Sequence, residues 1–230
     1  MKSPLTLEPL FHVGPVGITE PVVVSWAVIA LLGVGSALAT RRLALIPSKG
    51  QTLLELVVST VDSQIRETMQ TDPAPFRAQI GSIFLFTLVS NWSSLIPGIE
   101  PATAHIETDA AMALIIFVAT IGWGIRVRGL GGYLATYAEP TWVMIPLNIV
   151  EQFTRTFSLI VRLFGNVMAG VFIIGIILAL AGLLVPIPLM ALDLLTGAVQ
   201  AYIFAILATV FIGAAVGERR KPSASSESKP

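Results

Sequence analysis

Long uninterrupted apolar blocks constrain this chain more than any motif does. "PVVVSWAVIALLGVGSALAT" at 21–40 carries no charge and stops at Arg41 and Arg42. Blocks of about 18 or more apolar residues read as membrane spans. Further blocks lie near 79–98, 109–125, 147–183 and 188–217. The expected fold class is therefore all-α: a polytopic membrane protein of about five embedded helices. Composition agrees, since 54% of the 230 residues are hydrophobic and only 12% charged, half the roughly one quarter of a soluble domain. The length allows one membrane domain over 21–217. An extracytoplasmic segment, 1–20, precedes it, and a polar Ser/Pro-rich tail, 218–230, is expected to be disordered. Pro4, Pro9, Pro15 and two Glu among the first twenty residues do not read as a cleavable signal. With no cysteine, disulfides, thiol catalysis and Cys-ligated metals are excluded.

Basic residues set the orientation, because they are retained on the cytoplasmic side. Arg41, Arg42, Lys49, Arg66 and Arg77 lie in the first loop; Arg126 and Arg128 follow the third span; Arg219, Arg220 and Lys221 follow the last. The loop at 98–109 has no Lys or Arg and carries Glu100, His105, Glu107 and Asp109. Five alternating spans then put the N-terminus outside and the C-terminus in the cytoplasm. Residues 49–70 place Leu53, Leu54, Val57, Val58, Val61 and Ile65 at three- and four-residue steps, which reads as an amphipathic helix at the cytoplasmic interface.

The segment 147–183 is too long for an upright span. About 37 residues of helix reach roughly 55 Å, against a hydrocarbon core of about 30 Å. The segment is expected to bend, with Gly165, Gly170 and Gly175 as candidate positions, or to tilt strongly. At about 100° per residue, positions seven and eleven apart nearly coincide around a helix. Glu151, Arg155, Ser158, Arg162 and Asn166 therefore form one polar line, flanked by the small Gly165 and Ala169. A charge at the bilayer centre costs about 2.5–3.5 kcal/mol, so it persists only beside a polar cavity or an opposite charge. Arg155 has Glu151 four residues back. Arg162 has no acid three or four residues away, so its partner lies on another helix or another subunit. On the last span Asp193, Thr196, Gly197, Gln200 and Phe204 make a second narrow line. Asp193 and Arg162 could pair directly, and Gln200 alone could be a helix-linking amide worth about 1 kcal/mol.

The run "PLNIVEQFTRTFSLIVRLFGNVMAG", followed by "QAYIFAILATVFIG", resembles subunit a of the F-type ATP synthase. "SNWSSLIPG" at 90–98 and "RVRGLGGY" at 126–133 fall where that family has similar stretches, so the resemblance covers roughly 80–217. It implies a non-catalytic stator subunit that gives a ring of c subunits two aqueous half-channels and couples ion flow to rotation. The implied partners are the c ring, the b subunits, the rest of the complex and membrane lipid, with no cofactor, no metal and no nucleic acid. The implied location is a bacterial inner membrane. Arg162 would be the family's essential arginine facing the ring, with Asn166 and Gln200 beside it in the ion path. Glu151 would belong to the cytoplasmic access route, and Asn91, Glu107 and Asp109 would lie near the opposite entrance. Many members carry Glu or His nine residues after the arginine, where this chain has Val171. Asp193 is expected to supply that missing group from the neighbouring helix. No residue distinguishes proton from sodium.

Two other classes were weighed. A secondary transporter with Arg162 binding an anionic substrate would show repeated halves with matching broken helices, and no such repeat is evident. An intramembrane hydrolase lacks its motifs, with neither HExxH nor GxSxG present. His12 precedes the first span and His105 lies in a loop, so both read as solvated.

Overall fold

The computed structural model describes residues 9–13, 16–41, 49–96, 99–138, 142–182 and 185–217. The expected disordered tail at 218–230, with Arg219, Arg220 and Lys221, lies outside the described residues, as does Arg42. The chain opens with an antiparallel hairpin that the sequence reading did not anticipate. Strands β1 (Pro9–Val13) and β2 (Val16–Thr19) pair with Val13 opposite Val16 and Pro9 opposite Thr19. The rest is helical: α1 (Glu20–Thr40), α2 (Lys49–Met69), α3 (Ala74–Trp92), α4 (Ile106–Ala138), α5 (Met144–Ala181) and α6 (Ile187–Val216). Two single 3-10 turns, Ser93–Leu95 and Ala102–Ala104, lie between α3 and α4. Four helices, α1, α4, α5 and α6, are long and apolar enough to cross a membrane. The fifth expected span corresponds to α3, which is more polar because it carries Arg77, Gln79 and Asn91. The protein is an all-α polytopic membrane protein with a two-stranded ornament.

Helix α6 sits at the centre and packs against α2, α3, α4 and α5. Helices in lipid gain little from the hydrophobic effect between them and associate through close packing of small residues. Gly197 of α6 fits this rule, since a Cβ there would stand only 3.1 Å from the Cβ of Asn91 on α3. One apolar cluster gathers Ile83, Met112, Ile116, Leu159, Leu163, Val167 and Phe204. A second joins Val61, Ile65 and Met69 of α2 to Phe76, Ile80 and Ile212. Helix α2 is thus amphipathic as expected, but its apolar face docks on α3 and α6, and Asp62 pairs with Arg77 at its edge.

Two long segments depart in detail from expectation. Helix α4 runs past Arg126 and Arg128, yet Gly129 breaks it with φ 74° and ψ 164°, a conformation open to glycine. Arg128 braces this break, donating from Nε to the Val216 carbonyl at 3.0 Å and from its guanidinium to Thr136 Oγ1 at 2.9 Å. Helix α5 is one continuous run of 38 residues, roughly 57 Å long. Gly165, Gly170 and Gly175 are not sharp bends, and among the described glycines only Gly129, Gly182 and Gly217 have positive φ. Helix α5 therefore carries its whole length without a sharp break.

Gly197→Leu should disrupt the α3–α6 contact and lower thermal stability of the detergent-solubilised protein, on the order of 1–3 kcal/mol for overpacking. Gly122→Ala, where a Cβ meets nothing within 4 Å, should be neutral or stabilising by up to about 1 kcal/mol of helix propensity. Thermal unfolding of the two variants checks both signs.

Candidate functional site

The rotation of α5 is set by Leu159, Leu163 and Val167, all buried in the apolar cluster. Three and four residues on, the same geometry turns Ser158, Arg162, Gly165 and Ala169 outward, away from the subunit's own core. Arg162 is exposed on this face and has no ion pair or hydrogen bond among the described residues. Asn166, one turn further, is half-buried. The polar line is thus real as a surface, floored by small residues and edged by exposed Val161, Phe172 and Ile173.

At one end of this line Glu151 and Arg155 form an ion pair. The Arg155 guanidinium also stands 5.5 Å from the centre of the Phe211 ring. A cavity of about 340 Å³ opens here, lined by Tyr133, Tyr137, Asn148, Glu151 and Arg155 among others. Asn148 donates from Nδ2 to the Tyr137 carbonyl at 2.9 Å, and the two tyrosine hydroxyls lie 2.8 Å apart. A second hollow of about 590 Å³ continues along α5 from Glu151 past Arg155 and Ser158 to Arg162. Glu151, Arg155 and Phe211 line both.

Beyond the other end lies a separate polar group. Asn91 is buried, donating from Nδ2 to the Gly197 carbonyl at 2.9 Å and accepting from Thr103 Oγ1 at 2.7 Å. Trp92 Nε1 donates to the Leu194 carbonyl at 3.1 Å. Asp193 is half-buried and accepts from Ser94 Oγ at 3.2 Å. Its carboxylate fills the notch beside Gly170, where any Cβ would collide with it. Gly170 is eight residues beyond Arg162 on α5, roughly 12 Å along the helix, and no Asp193–Arg162 ion pair exists among the described residues. Val171 is partly buried and packs on the apolar cluster.

Gln200 is buried and its Nε2 has no partner among the described residues, so the face of α6 carrying Gly197, Gln200 and Phe204 points into the bundle. Asp109 has 0% exposure and, among the described residues, neither of its oxygens has a hydrogen-bond partner. Glu107 is exposed at the edge of an apolar hollow between α1, α3 and α4. His105, expected to be solvated, is only 6% exposed, with Nε2 3.5 Å from Glu100 Oε2. It is buried because the turn at Ala102–Ala104 folds inward onto α1, α3, α4 and α5. Sequence reasoning missed Thr87, Ser90 and Thr103. Thr87 lies three and four residues before Ser90 and Asn91 on α3, a helical spacing whose signal was available in principle; Thr103 gave none.

On α5 Leu159 and Leu163 lie between Arg155 and Asn166 in the chain, and on α6 Phe204 and Ala208 follow Gln200. On α4 Met112 and Ile116 separate Asp109 from Thr120.

Two polar regions, an apolar layer between them and an outward guanidinium define a helical membrane protein that presents a charge on its own surface. Residues 22–213 match the family model described as ATP synthase A chain. The chain is 55% identical to ATP synthase subunit a 2 of Bradyrhizobium sp. (strain BTAi1 / ATCC BAA-1182), over 96% of this chain and 99% of that protein. It is 47% identical to ATP synthase subunit a of Albidiferax ferrireducens, over 87% and 88% of the two chains. With ATP synthase subunit a 1 of Prosthecochloris aestuarii it shares 43% identity, over 91% and 95%. The chain belongs to the ATP synthase subunit a family and is a membrane component of an ATP synthase.

Asn91→Leu should leave the Thr103 hydroxyl and the Gly197 carbonyl without their partner. Leaving buried polar groups unsatisfied costs about 1–3 kcal/mol, so the variant's melting temperature should fall while Asn91→Asp, which keeps the acceptor, falls less.

Proposed function

We propose that this chain is the ion-conducting stator subunit of the ATP synthase membrane sector, without catalysis of its own. In this reading it sits as one membrane domain in a bacterial inner membrane, N-terminus outside and C-terminus cytoplasmic, against a ring of c subunits and beside the b subunits. The observation that carries the reading is Arg162. It is unpaired among the described residues, it faces outward on a stripe of small residues, and it stands where the inner hollow ends.

A ring carboxylate that is neutral when loaded crosses lipid cheaply and is costly when ionised. At Arg162 it meets a guanidinium that does not deprotonate in proteins, so its ionised form is stabilised for the moment of exchange. The inner route runs from the Tyr133–Glu151 cavity past Arg155 and Ser158. The outer route runs by Asn91, Asp193 and Gln200 towards Asn166, with Glu107 and Asp109 near its entrance. Asp193, seated against Gly170, takes the place of an ionisable side chain at Val171. The membrane potential supplies about 2.3 kcal/mol per charge per 100 mV, so several ions per turn are needed for each ATP.

Arg162→Ala is expected to insert and assemble yet reduce ion-driven ATP synthesis to background in reconstituted vesicles. Arg162→Lys should fail too, because an ammonium is compact and sheds its proton more readily in a low dielectric. Synthesis at wild-type rate in either variant overturns the reading. Gln200→Leu and Asp193→Asn should each lose part of the coupled flux. Unchanged flux in Asp193→Asn would remove that residue from the path.

A further inference from the structure

A carboxylate with no exposure and no partner needs an explanation, since ionised groups taken out of water cost several kcal/mol each unless paired. Asp109 is that group. Its neighbours follow from the packing. Met112 and Ala113 of α4, Phe204 of α6 and Ile83 of α3 share one apolar cluster. One helical turn outward from these lie Asp109, Gln200 and Thr87, on three different helices. All three are buried, and among the described residues the Thr87 hydroxyl and the Gln200 Nε2 have no partner either, nor does the Ser90 hydroxyl on α3. Next outward, the Asn91–Thr103–Gly197 hydrogen bonds close the layer. Two further ionisable groups precede Asp109 in the chain. Glu100 is half-exposed, His105 is 3.5 Å from it, and the His105 carbonyl accepts the Asp109 backbone N–H at 3.3 Å.

We propose that Asp109 is a binding station for the transported cation within the stator, reached from outside by way of Glu100 and His105 and emptied towards Gln200. The inference rests on the stator reading and deepens it. The cation enters on one side of the carboxylate and leaves on the other, so Asp109 returns to its starting form with no covalent change. Carboxylate and hydroxyl oxygens suit a proton or a hard monovalent cation such as sodium alike. A carboxylate kept only for packing would be replaceable by its amide.

The test uses the whole ATP synthase reconstituted in vesicles, with ATP synthesis followed against the ion concentration on the outer face of the subunit. Asp109→Asn should raise the half-saturating outer ion concentration by about tenfold or more, the effect of losing one charge-assisted contact. Asp109→Glu should keep the wild-type curve more closely. Titrating outer sodium at fixed pH and outer pH at fixed sodium shows which ion restores the rate, and so which one the station holds. An unchanged curve in Asp109→Asn, with Arg162→Ala inactive in parallel, overturns the station and leaves the stator reading standing. An active Arg162→Ala overturns the stator reading itself. Should Asp109→Asn fail to assemble, Asp109→Ser is read in the same way; failure of both while Asp109→Glu assembles makes Asp109 a structural residue and ends the proposal.

Discussion

The seating of three aliphatic side chains determines where the charge goes. Leu159, Leu163 and Val167 lock α5 against α4, α6 and the inward turn before α4, and with them the helix has one permitted rotation. Arg162 then has to face out. Turning α5 by one residue would bring the guanidinium into a layer made of Ile116, Phe204 and Ala208, where no described side chain offers it an acceptor. In lipid, close packing of this kind is what fixes helix rotation, so the apolar side of α5 is as much a part of the site as the polar side.

Small residues do the complementary work on α6. Gly197 admits Asn91, and Gly170 on α5 admits Asp193. Each close approach places a polar side chain where a larger neighbour would have excluded it, and each lies in the outer half. The inner half is arranged differently. There the backbone break at Gly129, braced by Arg128 on the last carbonyls of α6, brings Tyr133 and Tyr137 against Asn148 and Glu151. A guanidinium at a helix C-terminus is also favoured by the dipole.

Much of this was legible in the sequence because membrane spans announce themselves by length, and because a 3.6-residue period reports which side chains share a face. The stripe from Glu151 to Asn166 and the Glu151–Arg155 pair followed from spacing alone. What spacing does not report is which way a face points. The line of Asp193, Gln200 and Phe204 looked like the twin of the Arg162 stripe, yet it turns into the bundle because α3 and α4 cover it. His105 and Asp109 looked like loop residues at an entrance and proved buried, since nothing local signals that the turn at Ala102–Ala104 folds inward. The glycines of α5 looked like hinges; they are instead helical, one of them a notch for a carboxylate and not a bend. The hairpin at Pro9–Thr19 was hidden because a proline-punctuated segment of alternating character carries a weak strand signal beside the strong spans that follow.

The apolar layer is what gives the two polar regions meaning. An ion travelling through the bundle from Gln200 to the Tyr133 cavity would have to cross Phe204, Ala208, Leu159, Leu163, Met112 and Ile116, with no polar side chain to replace its water. Around the outside, the stripe on α5 is the polar bridge, and its midpoint is Arg162. A bare cation moving along that stripe meets a fixed positive charge in a medium of low dielectric, where repulsion is several-fold stronger than in water. A neutral carrier does not. The arrangement therefore opposes free ions by both routes while leaving open space beside Arg162, as the proposed stator role requires.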